Sequence, residues 1–170
     1  MTEFDPNEAE CCVYLDIETT SLDPSNGDLT VVGVYLDHGN KQKVVQLVGD
    51  EISAAKLVRI VRKVKVLHTY NGKRFDLPYI KAKLGVDLAR SCLHKDLMYE
   101  CWRRNLFGGL KEVERKLGIK RELTGIDGRM AVQLWLDYQS SGDRRFLTTL
   151  LKYNREDIMN LKALRQKLNV

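Results

Sequence analysis

Three carboxylates in this chain stand where the surrounding pattern calls for apolar side chains, and a fourth stands at the start of a helix. In Val13-Tyr14-Leu15-Asp16-Ile17-Glu18 the two-residue repeat of a strand places Asp16 and Glu18 on one face, about 7 Å apart. Their neighbours call for burial, and two carboxylates in a low-dielectric setting repel unless positive charge offsets them. A strand end emerging into solvent, with Glu18 and Thr19-Thr20 in a loop, would show the same pattern. Near the C-terminus Leu150, Tyr153, Asp157, Leu161 and Leu164 follow helical spacing, so Asp157 holds an apolar position with Tyr153 one turn before it. A buried ionised carboxylate has to be neutralised, paired or metal-bound; pairing with Lys152 or Arg155 is the alternative here. Asp76, in Asn71-Gly72-Lys73-Arg74-Phe75-Asp76-Leu77-Pro78, precedes by two a proline tolerated in a first helical turn, and could serve as that helix's N-cap.

Acids gathered from a strand, a helix start and a second helix suit hard divalent cations such as Mg²⁺ or Mn²⁺, which prefer oxygen ligands. Sulfur and imidazole do not compete. Cys11 and Cys12 are adjacent, Cys92 and Cys101 stand apart, no C-x-x-C occurs, and His38, His68 and His94 are the three histidines. The cysteines read as small buried or half-buried thiols in a reducing compartment, not as a zinc site.

The same residues resemble a known family. Asp16-Ile17-Glu18-Thr19-Thr20 resembles the first motif (D-x-E) of the DnaQ-like 3′–5′ exonucleases, or DEDD nucleases. Asn71 followed by Phe75-Asp76 resembles the second motif (N-x-x-x-F-D), as found in proofreading domains of family B DNA polymerases. Tyr153-x-x-x-Asp157 resembles the third motif in the tyrosine form that defines the DEDDy subgroup. The motifs occur in family order from Asp16 to Asp157. Asp96-Leu97-Met98, Leu110 to Arg121 and the Asn154/Asp157 segment are similar to the YprB-like ribonuclease-H-like group, whose members often carry histidine at the position of Tyr153.

The resemblance implies an RNase H-like fold, with three antiparallel strands continued by parallel ones and flanked by helices. It also implies a 3′–5′ exonuclease that hydrolyses phosphodiester bonds of DNA or RNA by a two-metal-ion mechanism. On that reading Asp16, Glu18 and Asp157 bind one Mg²⁺ or Mn²⁺, Asp16 bridges to a second, and Asp76 contributes to the second site. Tyr153 orients the attacking water, since a phenol with a pKa of about 10 is a poor base near neutrality. By the same analogy Thr19, Thr20 and Asn71 touch the backbone of the terminal nucleotide at a 3′ end of single-stranded nucleic acid. Lys73 and Arg74 meet phosphates or form a solvated turn. Asp96 is either a further site acid or a structural hydrogen-bond acceptor, Phe75 is core, and Glu156 is exposed. A catalytically silent RNase H-like module that binds nucleic acid or protein, and a structure-selective endonuclease on the same fold, are the competing readings.

Positioning these residues takes an α/β arrangement. Cys11 to Thr19 reads as a buried strand; Leu29 to Leu36 and Lys43 to Val48 form an antiparallel hairpin across His38-Gly39-Asn40. Ile52, Ala55, Val58 and Val61 recur at helical spacing with Asp50 as candidate cap. Val66 to Tyr70 is a strand ending at the Asn71-Gly72 turn, Leu77 to Leu84 a helix, and Leu93 lies in a further strand. The remainder is helical, ending in a long helix from Arg144 to Leu168. The order implies a mixed sheet with helices on its faces.

A chain of 170 residues, 44% hydrophobic and 30% charged, is sized for one domain over 1–170, with 1–10 as a loose lead, and too apolar for disorder. Nothing in it resembles a signal peptide or a membrane span, so a soluble, cytoplasmic protein with no membrane partner is expected. The net charge of +5 hides an asymmetry. Residues 1–60 carry eleven acids against four basic residues, whereas residues 61–170 carry twelve against twenty-four. A basic surface of this kind suits a polyanion. The series Lys56, Arg59, Arg62, Lys63 and Lys65 is the wet face of an amphipathic helix.

Overall fold

The computed structural model describes residues 12–39 and 41–170; the expectations for the lead, Cys11 and Asn40 lie outside them. Strand β1 (Cys12–Thr19) is central in a five-stranded sheet of order β3-β2-β1-β4-β5. β2 (Leu29–His38) and β3 (Lys41–Val48) continue it antiparallel on one side, and β4 (Val66–Thr69) and β5 (Leu93–Asp96) parallel on the other. The sheet is thus the mixed RNase H-like arrangement expected.

Alternation along β1 sorts its side chains into two layers. Val13, Leu15 and Ile17 pack with Val32, Val34 and Leu47 against one helical layer, to which α1 (Ala54–Val61), α2 (Asp76–Leu84) and α3 (Leu88–Ser91) contribute Leu57, Ile80 and Leu88. Cys12 and Tyr14 face the opposite layer. There they meet Ile158, Leu161, Leu164 and Leu168 of the 25-residue helix α7 (Arg144–Leu168), with Leu97 and Cys101 of α4 (Leu97–Trp102) and Val113 of α5 (Leu110–Leu117). A third cluster joins Leu150 and Tyr153 of α7 to Val31, Ile126 and Ala131, the last on α6 (Gly128–Ser141). Asp16 and Glu18 continue the row of Cys12 and Tyr14, so they too face α7. Each fully buried leucine on that helix contributes roughly 1.5–3 kcal/mol, which is how α7 can hold polar groups against the sheet.

Two local expectations are corrected. Helix α1 begins at Ala54 with Ser53 as its cap, the Ser53 hydroxyl accepting from the Lys56 N–H, while Asp50 sits in a preceding 3₁₀ turn, Gly49–Glu51. Its buried face is Leu57 and Val61, with Ala55 and Val58 exposed; the expected stripe ran one residue out of phase because Ile52 precedes the helix. Lys56, Arg59, Arg62, Lys63 and Lys65 are exposed, as expected. Cys12, Cys92 and Cys101 are free thiols, and no helix among the described residues is long and apolar enough to cross a membrane.

Candidate metal centre

The site forms where α7 crosses the C-terminal end of β1. One carboxylate oxygen each from Asp16, Glu18 and Asp157 lies within 4.8 Å of the others, and Asn154, on the same helix as Asp157, reaches Asp16 across 138 residues. Glu18 and Asp157 are buried and Asp16 is half-buried. Burial raises the pKa of all three, and for Asp16 and Glu18 their carboxylate neighbours raise it further. Glu18 Oε1 is buried without a hydrogen-bond partner among the described residues. A tight set of hard oxygen donors, one with an unsatisfied lone-pair face, fits a divalent cation.

Asn154, fully buried, fixes the first of these acids. Its Nδ2 donates to Asp16 Oδ2 at 3.0 Å, and its Oδ1 accepts from Gln46 Nε2 at 2.9 Å. Gly33, paired with both Asp16 and Gln46 across the sheet, makes the approach possible. A Cβ there would lie 2.0 Å from Asn154 Oδ1. From the sequence Asn154 stands only within a resembling segment, with no role, and Gln46 and Gly33 are not singled out. The signals existed: Asn154 occupies a core-facing position of α7, and a lone glycine within a strand marks a close approach.

Asp157 does not pair with Lys152 or Arg155. Its partner is Arg121, which donates to Asp157 and to the buried Glu114 and stands 3.5 Å from Glu156. Burial opposes the charge of Arg121, but Glu114 and Asp157 outweigh it and hold the guanidinium protonated. Glu156 is therefore not the exposed residue expected, because it faces the segment after α5 and accepts from the Glu122 and Leu123 N–H groups. Glu114 falls in the apolar row Leu110, Val113, Leu117, so the test that exposed Asp157 would have found it also. Lys111 donates to the Ile126 carbonyl and lies 4.4 Å from the centre of the Tyr153 ring. A lysine in the first turn of a helix stands at the wrong end of the dipole, which was its readable sign.

Tyr153 is buried one turn before Asp157. Burial, then the carboxylates of Asp157, Glu18 and Asp16, push its pKa up, so it is a neutral phenol. Asp76 is buried but stands outside the three-carboxylate set. It is not an N-cap; Phe75 occupies that position and makes no side-chain cap. β1 pairs with β4 only through Tyr14, and beyond that point the Ile17 N–H turns to Asp76 Oδ1 at 3.1 Å. Burial raises the Asp76 pKa to about 7 despite that bond.

A cleft of about 540 Å³ opens over the acids, lined by Asp16, Glu18, Thr19, Thr20, Phe75 and Tyr153 among others. The Thr19 hydroxyl donates to the Ser21 carbonyl, and the Thr20 hydroxyl accepts from the Asp28 N–H. Phe75, expected in the core, is half-buried against Tyr79 and shares this wall. Asn71 and Lys73 do not line it. Asn71 takes a left-handed backbone (φ 61°), and its N–H and that of Lys73 donate to Asp96. Asp96 also caps α4 through the Met98 N–H, so its oxygens hold structure.

A model of the family described as RNase_H superfamily matches residues 13–169. The uncharacterized protein YprB of Bacillus subtilis is 29% identical over 168 residues, a match covering 89% of this chain and 40% of YprB. The family B DNA polymerase of Pyrobaculum calidifontis superposes with a TM-score of 0.74 at 21% identity, over 99% of this chain and 25% of the polymerase. Brucella melitensis NrnC superposes at 0.60 and 21% identity, over 96% and 74% of the two chains; it has also been solved bound to pGG and with bound Mg²⁺. The chain thus spans well under half the length of YprB and of the polymerase.

Proposed function

Because this chain belongs to the RNase_H superfamily, we propose that its carboxylate cleft is the active site of a metal-dependent 3′–5′ exonuclease acting on single-stranded DNA or RNA. The observation that carries this reading is the convergence of Asp16, Glu18 and Asp157, from a strand and a distant helix, within 4.8 Å. Charge counting supports it. Among the described residues Asp16, Glu18, Glu114, Asp127, Glu156 and Asp157 outnumber the cations beside them, Arg121, Lys111 and Arg129, and the excess has to be met by protons or metal ions.

Asp16, Glu18 and Asp157 would hold one Mg²⁺ or Mn²⁺, and Asp16 with Asp76 a second. When bound, such ions polarise the phosphodiester, activate water and stabilise the leaving 3′ oxygen. The chain's own residues supply position. Asn154 keeps the Asp16 carboxylate turned toward the cleft, and Arg121 does the same for Asp157. Tyr153, a neutral phenol beside Asp157, orients the attacking water with its hydroxyl and does not act as base. Lys111 braces the Tyr153 ring. Thr19 and Thr20, in the cleft wall, contact the terminal nucleotide. NrnC, similar over nearly the whole of this chain, carries Mg²⁺ and pGG in its own structures, in keeping with this assignment.

The ion pair of Arg121 with Asp157 favours one competing reading, a silent binding module whose acids are already partly neutralised. Incubation with 5′-labelled single- and double-stranded DNA and RNA in Mg²⁺, Mn²⁺ or EDTA separates the two. A ladder of stepwise shortened products that needs metal, and slows by about a hundredfold or more in Asp157→Asn, is expected. Immediate release of the labelled mononucleotide would reverse the polarity, and intact polymer under every metal would leave the silent module.

A further inference from the structure

A second hollow, of about 890 Å³, shares no lining residue with the carboxylate cleft. Edge strand β5 supplies Lys95 to it, α4 supplies Tyr99 and Trp102 together with its C-cap residue Arg103, and the turn after β4 supplies Lys73. Tyr99 and Trp102 stand edge to face with ring centres 5.3 Å apart. The Arg74 guanidinium lies 5.5 Å from the Trp102 ring and 5.9 Å from that of Tyr99, and Lys73 Nζ lies 5.8 Å from Tyr99.

The two acids in the lining are already engaged. Asp96 accepts from the backbone N–H groups of Asn71, Lys73 and Met98, and Glu100 pairs with Arg103 and Arg104. Lys73, Arg74 and Lys95 have no ion-pair partner among the described residues, so the hollow is left with surplus positive charge beside two half-buried rings that line it. Aromatic faces accept any unstacked base, and flanking cations follow the phosphates; together they select single-stranded nucleic acid by chemistry and not by sequence. The Asn71–Lys73 turn links this hollow to the start of α2, where Phe75 enters the wall of the carboxylate cleft.

We propose that this groove binds the single strand leading away from the 3′ end, with bases stacked on Tyr99 and Trp102 and phosphates against Lys73, Arg74 and Lys95. The proposal rests on the nucleic-acid reading of the neighbouring cleft. It explains why so basic a turn lies within the second motif while its lysine stays outside the cleft.

Trp102 and Trp135 are the two tryptophans of the chain, so Trp135→Phe leaves Trp102 as the sole reporter. In EDTA, where no hydrolysis is expected, a single strand of about twelve nucleotides quenches Trp102 emission and loses affinity as salt rises. The exposed-residue pair Lys73→Gln with Lys95→Gln weakens that strand by about tenfold, as does Trp102→Leu, whose affinity is read from the anisotropy of a dye-labelled strand. A dinucleotide, expected to occupy the carboxylate cleft alone, binds each variant as it binds the parent. Unchanged affinity of the longer strand in both variants overturns the groove, and quenching by a polyglutamate peptide in place of the oligonucleotide reassigns it to an acidic protein partner. In Mg²⁺ the two readings separate: binding through Trp102 without shortening defeats the nuclease and keeps the groove, while shortening with unaltered affinity in the variants defeats the groove alone.

Discussion

Asn154 and Arg121 show how single side chains decide what the acids can do. Asp16 keeps one carboxylate oxygen on Asn154, whose own amide is locked by Gln46; Asp157 is held by a guanidinium that two glutamates also claim. Outer contacts of this kind typically contribute 10- to 100-fold in metal affinity. Asn154→Ala is therefore expected to weaken Mg²⁺ binding by about tenfold or more, read by isothermal titration calorimetry, with the far-ultraviolet circular dichroism unchanged. Equal affinity in the variant would leave Asn154 as packing alone. Tyr153 belongs to the same scale: its burial and the neighbouring carboxylates keep it a neutral phenol, in keeping with the proposed role of orienting water and not of a base.

At the scale of elements, β1 does two jobs through one alternation. Its odd-numbered residues build core, and its even-numbered ones run from Cys12 and Tyr14, packed on α7, to Asp16 and Glu18 in the cleft. β4 supports the packed half. His68 is fully buried there, its ring 5.1 Å from that of Tyr14, and burial, then the charges of Arg165 and Lys95, with His94 beyond, lower its pKa to about 4. The folded chain keeps His68 neutral while the unfolded chain takes up a proton below about pH 6.5. Stability from this residue is thus full above pH 6.5 and falls as the pH drops toward 4, by an amount on the order of 3 kcal/mol. Urea unfolding of the parent and of His68→Phe between about pH 7 and about pH 4.5 checks it. The parent is expected to lose more stability than the variant, and parallel losses would show that His68 is not the acid-sensitive group.

For the molecule as a whole, the acids concentrate in residues 1–60 and the basic surplus in residues 61–170. Folding then brings Asp16 and Glu18 of the first part against Asp157 of the second, so carboxylate repulsion is built into the native state. A ligand that binds only the folded chain stabilises it by about 2.7 kcal/mol at a hundred times its dissociation constant. In a chain of this length that amounts to a rise in Tm of about 5–10 °C. Mg²⁺ is expected to produce such a rise over EDTA in differential scanning fluorimetry, and Asp157→Asn to abolish it; an equal rise in the variant would place the ion elsewhere.

Strand alternation and helical spacing alone picked out Asp16, Glu18 and Asp157, because a charge in an apolar row is visible without coordinates. The long helix, the hairpin and the succession of strands and helices along the chain were legible for the same reason, since period and turn chemistry are local; the strand arrangement within the sheet came from the family resemblance. What the linear pattern could not carry was which partner each acid would find. Arg121 reaches Asp157 across 36 residues and Gln46 reaches Asn154 across 108, distances over which sequence holds no geometric information. Nor could it show that Asp76 would turn to a strand N–H, that Asn71 and Lys73 would brace Asp96 outside the cleft, or that Tyr99 and Trp102 would meet Arg74. Those outcomes depend on where β1 outruns β4 and on the gap left by Gly33, and only the packed sheet determines either.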